Sequence, residues 1–115
     1  MSKIKPSELN LKIPNRSNVD LLVIAGEHSG DELGAKCIKC LFERHPDLNI
    51  VSIGGPKLRK EGTDLIFNLV EHSVVGFIDI FKRYPFFKRL FEETIAWIEV
   101  HRPKHILFID YPGFN

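Results

Sequence analysis

Leu21-Leu22-Val23-Ile24-Ala25-Gly26-Glu27-His28-Ser29-Gly30-Asp31-Glu32 changes character twice within a short span. Its first five residues are apolar without alternation, the pattern of a strand buried on both faces of a parallel sheet. Gly26 to Gly30 makes a tight loop. Ser29-Gly30-Asp31-Glu32 fits a capping box, with Ser29 at the N-cap and Glu32 three residues on, and predicts a helix running to about Arg44. Leu33, Cys37 and Leu41 recur every four residues, with Ile38 and Phe42 beside them, and define the expected apolar face. Pro46 stops the helix.

The same alternation continues outward. Ile50 to Ile53 reads as a second strand, ended by Gly54-Gly55-Pro56. Pro56 suits the first turn of a short helix and Gly62 its C-terminal end. Leu65 to Val70 is a weaker third strand, and Val74 to Arg83 reads as helical. A further helix starts near Pro85, with Phe87, Leu90, Phe91, Thr94 and Ile98 along one side. His105 to Ile109 is the last strand, with Asp110 at its carboxyl tip. Strands alternating with helices predict an α/β, Rossmann-like parallel sheet. Residues 1–18 are polar, carry Pro6 and Pro14, have net charge +3 (Lys3, Lys5, Lys12 and Arg16 against Glu8) and read as a flexible leader. Residues 19–115 then form the first part of a larger domain, because no helix follows the last strand.

Composition narrows the function. The 115 residues carry 16 Lys plus Arg against 15 Asp plus Glu, a net charge of +1, which argues against a basic nucleic-acid binder. Hydrophobic residues make up 43% and charged residues 27%, the balance of a globular chain. No apolar run reaches the roughly 18 residues of a membrane span, and the N-terminus has no apolar core of a secretory signal. With two cysteines, the expected compartment is the cytoplasm with reduced thiols. Cys37 and Cys40 lie inside a helix rather than at its N-terminus, so they read as structural rather than redox-active. The five histidines show no metal spacing, and only His28 falls in a candidate loop.

In parallel sheets ligands bind beyond the carboxyl ends of the strands. Three special loops fall there: 26–31, 54–56 and 110–115. Residues 26–31 lack both the Gly-Lys-Ser/Thr of a P-loop and the glycine spacing of a dinucleotide fingerprint. They read either as an anion or hydroxyl site at a helix N-terminus or as a well-capped turn. Asp110 reads either as a general base or as a turn-forming aspartate. Residues 77–91 hold five of the nine phenylalanines, Phe77, Phe81, Phe86, Phe87 and Phe91. Lys82, Arg83, Lys88 and Arg89 against Asp79 give this segment net charge +3. It reads either as a surface for anionic lipid or acyl chains or as a core helix with a basic back.

Together these motifs resemble the N-terminal part of the lipid-A-disaccharide synthase family. Val23 to Gly34, V-I-A-G-E-H-S-G-D-E-L-G, is similar to its A-G-E-x-S-G-D-x-L-G signature. Gly55-Pro56-Lys57-Leu58 with Glu61-Gly62, Val75-Gly76-Phe77, and Ile109 to Asn115 (I-D-Y-P-G-F-N against I-D-x-P-x-F-N) follow in order. His28 stands where Thr is common and Gly113 where Asp is common. The resemblance implies an inverting, metal-free glycosyltransferase of the two-domain GT-B type, peripheral on the cytoplasmic face of the inner membrane. It joins UDP-2,3-diacylglucosamine to 2,3-diacylglucosamine 1-phosphate and releases UDP. The domain holding most of the UDP-sugar site is absent from the 115 residues. The resemblance implies Asp110 as the base and Glu27, Ser29, Gly30, Gly55 and Asn115 as substrate-binding. Phe77, Phe81, Lys82, Arg83, Phe86 and Phe87 would meet acyl chains or membrane. The alternatives are a non-catalytic remnant, a lipid-interaction module or, against the four ordered motifs, an unrelated flavodoxin-like domain.

Overall fold

A computed structural model describes residues 11–73 and 84–109. Apart from the helix expected over 74–83, which lies outside the described residues, the expected alternation is present. Four strands, β1 (Leu21–Ala25), β2 (Ile50–Gly54), β3 (Asp64–Asn68) and β4 (His105–Ile109), form one parallel sheet in the order β3-β2-β1-β4. Helices α1 (His28–Arg44), α2 (Pro56–Lys60), α3 (Leu69–Ser73) and α4 (Tyr84–His101) lie between them in sequence.

Strand pleating divides the apolar run between two cores. Val23 and Ala25 pack with Ile38 of α1 and Leu58 of α2 on one face. Leu22 packs with Val51, Ile53, Ile66 and the α4 residues Phe86, Leu90 and Trp97 on the other. The central strand β2 is buried throughout. Its one hydroxyl belongs to a short relay. Ser52 and Thr63 oxygens are 2.8 Å apart, and Thr63 Oγ1 donates to the Leu58 carbonyl at 2.9 Å. Thr63 has a single proton, so Ser52 must be the donor to Thr63.

Several expectations change. The buried face of α1 is Gly30, Asp31, Gly34, Ala35 and Ile38, while Leu33 is 56% exposed. The inward face is built from small residues that let the helix approach the sheet, so the larger Leu33 marks the outside. Cys37 and Cys40 are exposed free thiols on that outer side, not core residues. The third strand is Asp64–Asn68, and Leu69 and Val70 begin α3. Gly62 does follow the short helix with φ 109°, the left-handed conformation that favours glycine.

Residues 11–18, expected in the leader, are tied to the body. The Lys12 amide donates to the Ile66 carbonyl, the Asn15 amide to Asp64 Oδ2, and Trp97 Nε1 to the Lys12 carbonyl at 3.0 Å. Buried Asn49 holds the Arg16, Ser17 and Asn18 carbonyls through its side-chain amide. Residues 1–10 lie outside the described residues. On α4, Phe86 is a core residue, 7% exposed, with its ring 6.3 Å from that of Phe67. This corrects its expected lipid-facing role: Phe86 shares the helix face of Leu90 and Trp97, which the sheet needs for its core. Phe91 instead is 68% exposed.

Candidate functional site

The site region is the carboxyl edge of the sheet, where β1 runs into α1 after only Gly26 and Glu27. Helix α1 begins at His28, with Glu27 in the N-cap position and no side-chain cap. The capping box is therefore not formed. Ser29 lies within the first turn and is exposed, and Glu32 pairs with Lys57 at 3.2 Å on the surface. Glu27 is half-buried beside the helix start.

Close approach sets the position of this turn. A Cβ on Gly30 would lie 3.4 Å from Ala25 Cβ and 3.4 Å from Ile109 Cγ2, and one on Gly34 would lie 2.8 Å from Ile109 Cδ1. The start of α1 thus sits over the paired ends of β1 and β4, where Ala25 is the register partner of Ile109. The neighbours of β1 in the sheet, β2 and β4, are reached by crossovers running in opposite directions, and such a switch point is the usual ligand crevice. Glu27, Ser29 and Gly30 are gathered there, with Ile109 against Gly30. Asp110 and Asn115 lie outside the described residues, as do Phe77, Phe81, Lys82 and Arg83 and the Phe87 side chain.

The residue that organises the edge is Asp31, which is 1% exposed. Its Oδ1 accepts the Gly55 and Leu58 amides, each at 3.0 Å, and its Oδ2 accepts the Lys57 amide at 3.0 Å. Helix α2 has Gly55 at its N-cap and so no capping side chain of its own. Asp31, from the first turn of α1, supplies the cap and binds the β2–α2 loop to the β1–α1 loop. Gly55 is required by this contact: a Cβ there would fall 2.6 Å from Asp31 Oδ2 and 2.9 Å from Val70 Cγ2. The Gly55 amide is engaged by Asp31, which accounts for the glycine structurally. Sequence reasoning missed Asp31. The signal was a short helix opening on Gly-Gly-Pro, which needs its acceptor from elsewhere.

Among the described residues, no group of three or more His, Cys, Asp or Glu side chains could hold a metal ion. No helix among them is long and apolar enough to cross a membrane. The chemistry on view is hydrogen bonding: exposed Ser29 and half-buried Glu27 at the start of a 17-residue helix.

The lipid-A-disaccharide synthetase family model matches residues 21–115. A lipid-A-disaccharide synthase of Granulibacter bethesdensis is 39% identical over 94 residues, covering 82% of this chain and 24% of that protein. Lipid-A-disaccharide synthase 1 of Legionella pneumophila is 36% identical over 103 residues, 90% of this chain and 26% of that protein. The Coxiella burnetii synthase is 34% identical over 99 residues, 86% of this chain and 26% of that protein. The chain spans about a quarter of the length of these curated relatives. No solved structure matches it. With four motifs in order along the sequence and a family match from β1 onward, the chain belongs to the lipid-A-disaccharide synthetase family.

Proposed function

We propose that this chain forms the acceptor side of a site for hexosyl transfer in lipid A biosynthesis. The donor would be UDP-2,3-diacylglucosamine and the acceptor 2,3-diacylglucosamine 1-phosphate. The observation that carries this reading is the family match over residues 21–115, together with the placement of Glu27, Ser29 and Gly30 over the β1–β4 switch point. In single displacement the acceptor hydroxyl oxygen bonds to the anomeric carbon as the bond to UDP breaks. The electron pair leaves with UDP, and a base takes the hydroxyl proton. Asp110 is the residue proposed for that role. In sequence it follows Ile109, whose side chain packs against the start of α1. Glu27 favours a sugar hydroxyl over a phosphate at the turn, since its carboxylate repels an anion. Asn115 is proposed as a further substrate contact.

The lipid chains need an apolar surface. The proposed surface is Phe77, Phe81 and Phe87 with Lys82 and Arg83, extended by Phe91, 68% exposed, and exposed Lys88 on α4. Docking on the inner face of the inner membrane follows from this proposal.

The test is UDP release by the chain fused to the remainder of the Granulibacter relative, with both lipid substrates. Asp110→Asn in that fusion is expected to lower turnover by about 10²- to 10⁴-fold with the fold intact. Near-normal turnover would remove Asp110 from the base role. Transfer by the 115 residues alone at the rate of the fusion would show that the donor site is misplaced.

A further inference from the structure

Helix α1 carries both cysteines of the chain, Cys37 and Cys40. It runs unbroken from His28 to Arg44, and both thiols are free and exposed. The face that meets the sheet is Gly30, Asp31, Gly34, Ala35 and Ile38. The thiols therefore fill no gap in the core. They also stand about 14–18 Å along the axis from the start of the helix, outside the site gathered there. Neither packing nor the transferase reading uses the pair.

Spacing decides what such a pair can do. Residues three apart on a helix share a side, with Cβ atoms about 5–6 Å apart. A disulfide needs about 3.5–4.5 Å between its Cβ atoms, so a direct sulfur–sulfur bond would bend the helix. One ion between the two sulfurs lengthens the bridge and leaves the helix as it is. Thiolates select soft partners, namely Cu(I), Zn(II) and iron–sulfur clusters. Structural zinc and iron–sulfur clusters ask for about four protein ligands. The chain has two cysteines, and among the described residues no group of three or more His, Cys, Asp or Glu side chains is placed for a metal. Cu(I) is the soft cation that a pair of thiolates satisfies alone.

We propose that Cys37 and Cys40 form a two-coordinate Cu(I) site on the outer face of α1. Each thiol gives up its proton as its sulfur bonds to the ion, so two protons leave and the metal stays Cu(I). The bis-thiolate complex carries one negative charge. Lys36 and Arg44, both exposed, stand four residues either side of Cys40 and offset it. Glu43, three residues beyond Cys40, opposes them, and Lys39 stands four residues before that carboxylate. The site is independent of the transferase reading, because its readout is metal binding.

The test is an anaerobic Cu(I) titration of the 115-residue chain against a chromogenic Cu(I) chelator. Circular dichroism and light scattering are recorded on the same samples. One ion per chain is expected, with helix content and mass as in the unloaded chain. Cys37→Ser and Cys40→Ser should each weaken binding at least about 100-fold, since one thiolate remains. Lys39→Cys/Cys40→Ser keeps two thiols but sets them two residues apart, on different sides of the helix. It should weaken binding at least about tenfold. Wild-type affinity in that variant would mean that two thiols suffice without helical spacing, and overturns the site. Wild-type affinity in either serine variant does the same. Displacement of Cu(I) by Zn(II) would show a site with further ligands and also overturns it. One ion per two chains, with a doubled mass, would assign the thiols to a contact between copies instead.

Discussion

Replacing Asp31 with Asn tests the reading of the carboxyl edge most directly. The side chain is 1% exposed and accepts three backbone amides, each at 3.0 Å. Asparagine keeps the shape. Its oxygen can stay on the Gly55 and Leu58 amides, and its NH₂ then faces the Lys57 amide, donor against donor. One charge-assisted bond is lost outright, and the other two become neutral bonds of about half the strength. The loss is about 2–4 kcal/mol, a large part of the roughly 5–15 kcal/mol that holds a domain of this size. With a urea slope of about 1.5 kcal/mol/M, the midpoint should fall by about 2 M. Amide exchange at Lys57 should quicken before that at Leu58. Gly55→Ala supplies the cross-check. Its Cβ meets Asp31 and Val70 below 3 Å, so it should cost about 1–3 kcal/mol. In an Asp31→Ala background it should cost less, since only the Val70 contact remains. A midpoint within about 0.3 M of wild type for Asp31→Asn, or strict additivity of Gly55→Ala and Asp31→Ala, would refute the clamp.

Two further outcomes concern the opposite edge. Asp20 is held below the ordinary carboxylate range, first by the Asn49 amide on its Oδ2 at 2.8 Å and also by Lys104. Its folded value lies below its unfolded value, so its stabilisation is present above the unfolded carboxylate range near pH 4 and is lost as pH falls through the folded value. Acid titration of stability should therefore be shallower in Asp20→Asn than in wild type, and identical slopes below pH 4 would contradict this. Trp97→Phe removes the donor to the Lys12 carbonyl and should cost about 1 kcal/mol. It should raise proteolysis of residues 11–18 more than of the core, measured by cleavage-site mapping.

The alternation of apolar runs, turn residues and helical stretches determined the parallel α/β class. It did so because a strand covered on both faces has no polar side to show, as in Leu21–Ala25. Gly62 and Pro56 could be placed from sequence because their backbone constraints are local. The four ordered motifs determined the family for the same reason: motif residues keep their spacing whatever packs around them. What needed the tertiary structure was every question of which face looks inward. Leu33 and Cys37 satisfy helical period as well as Gly34 and Ile38 do, and only the closeness of α1 to β1 and β4 decided for the small residues. Phe86 and Phe91 are the same residue type on one helix, yet the sheet beneath α4 buries Phe86 and leaves Phe91 in solvent. Asp31 belongs with them. Its partners are 24 to 27 residues away in sequence, and no local pattern shows an acceptor whose donors arrive from the next loop.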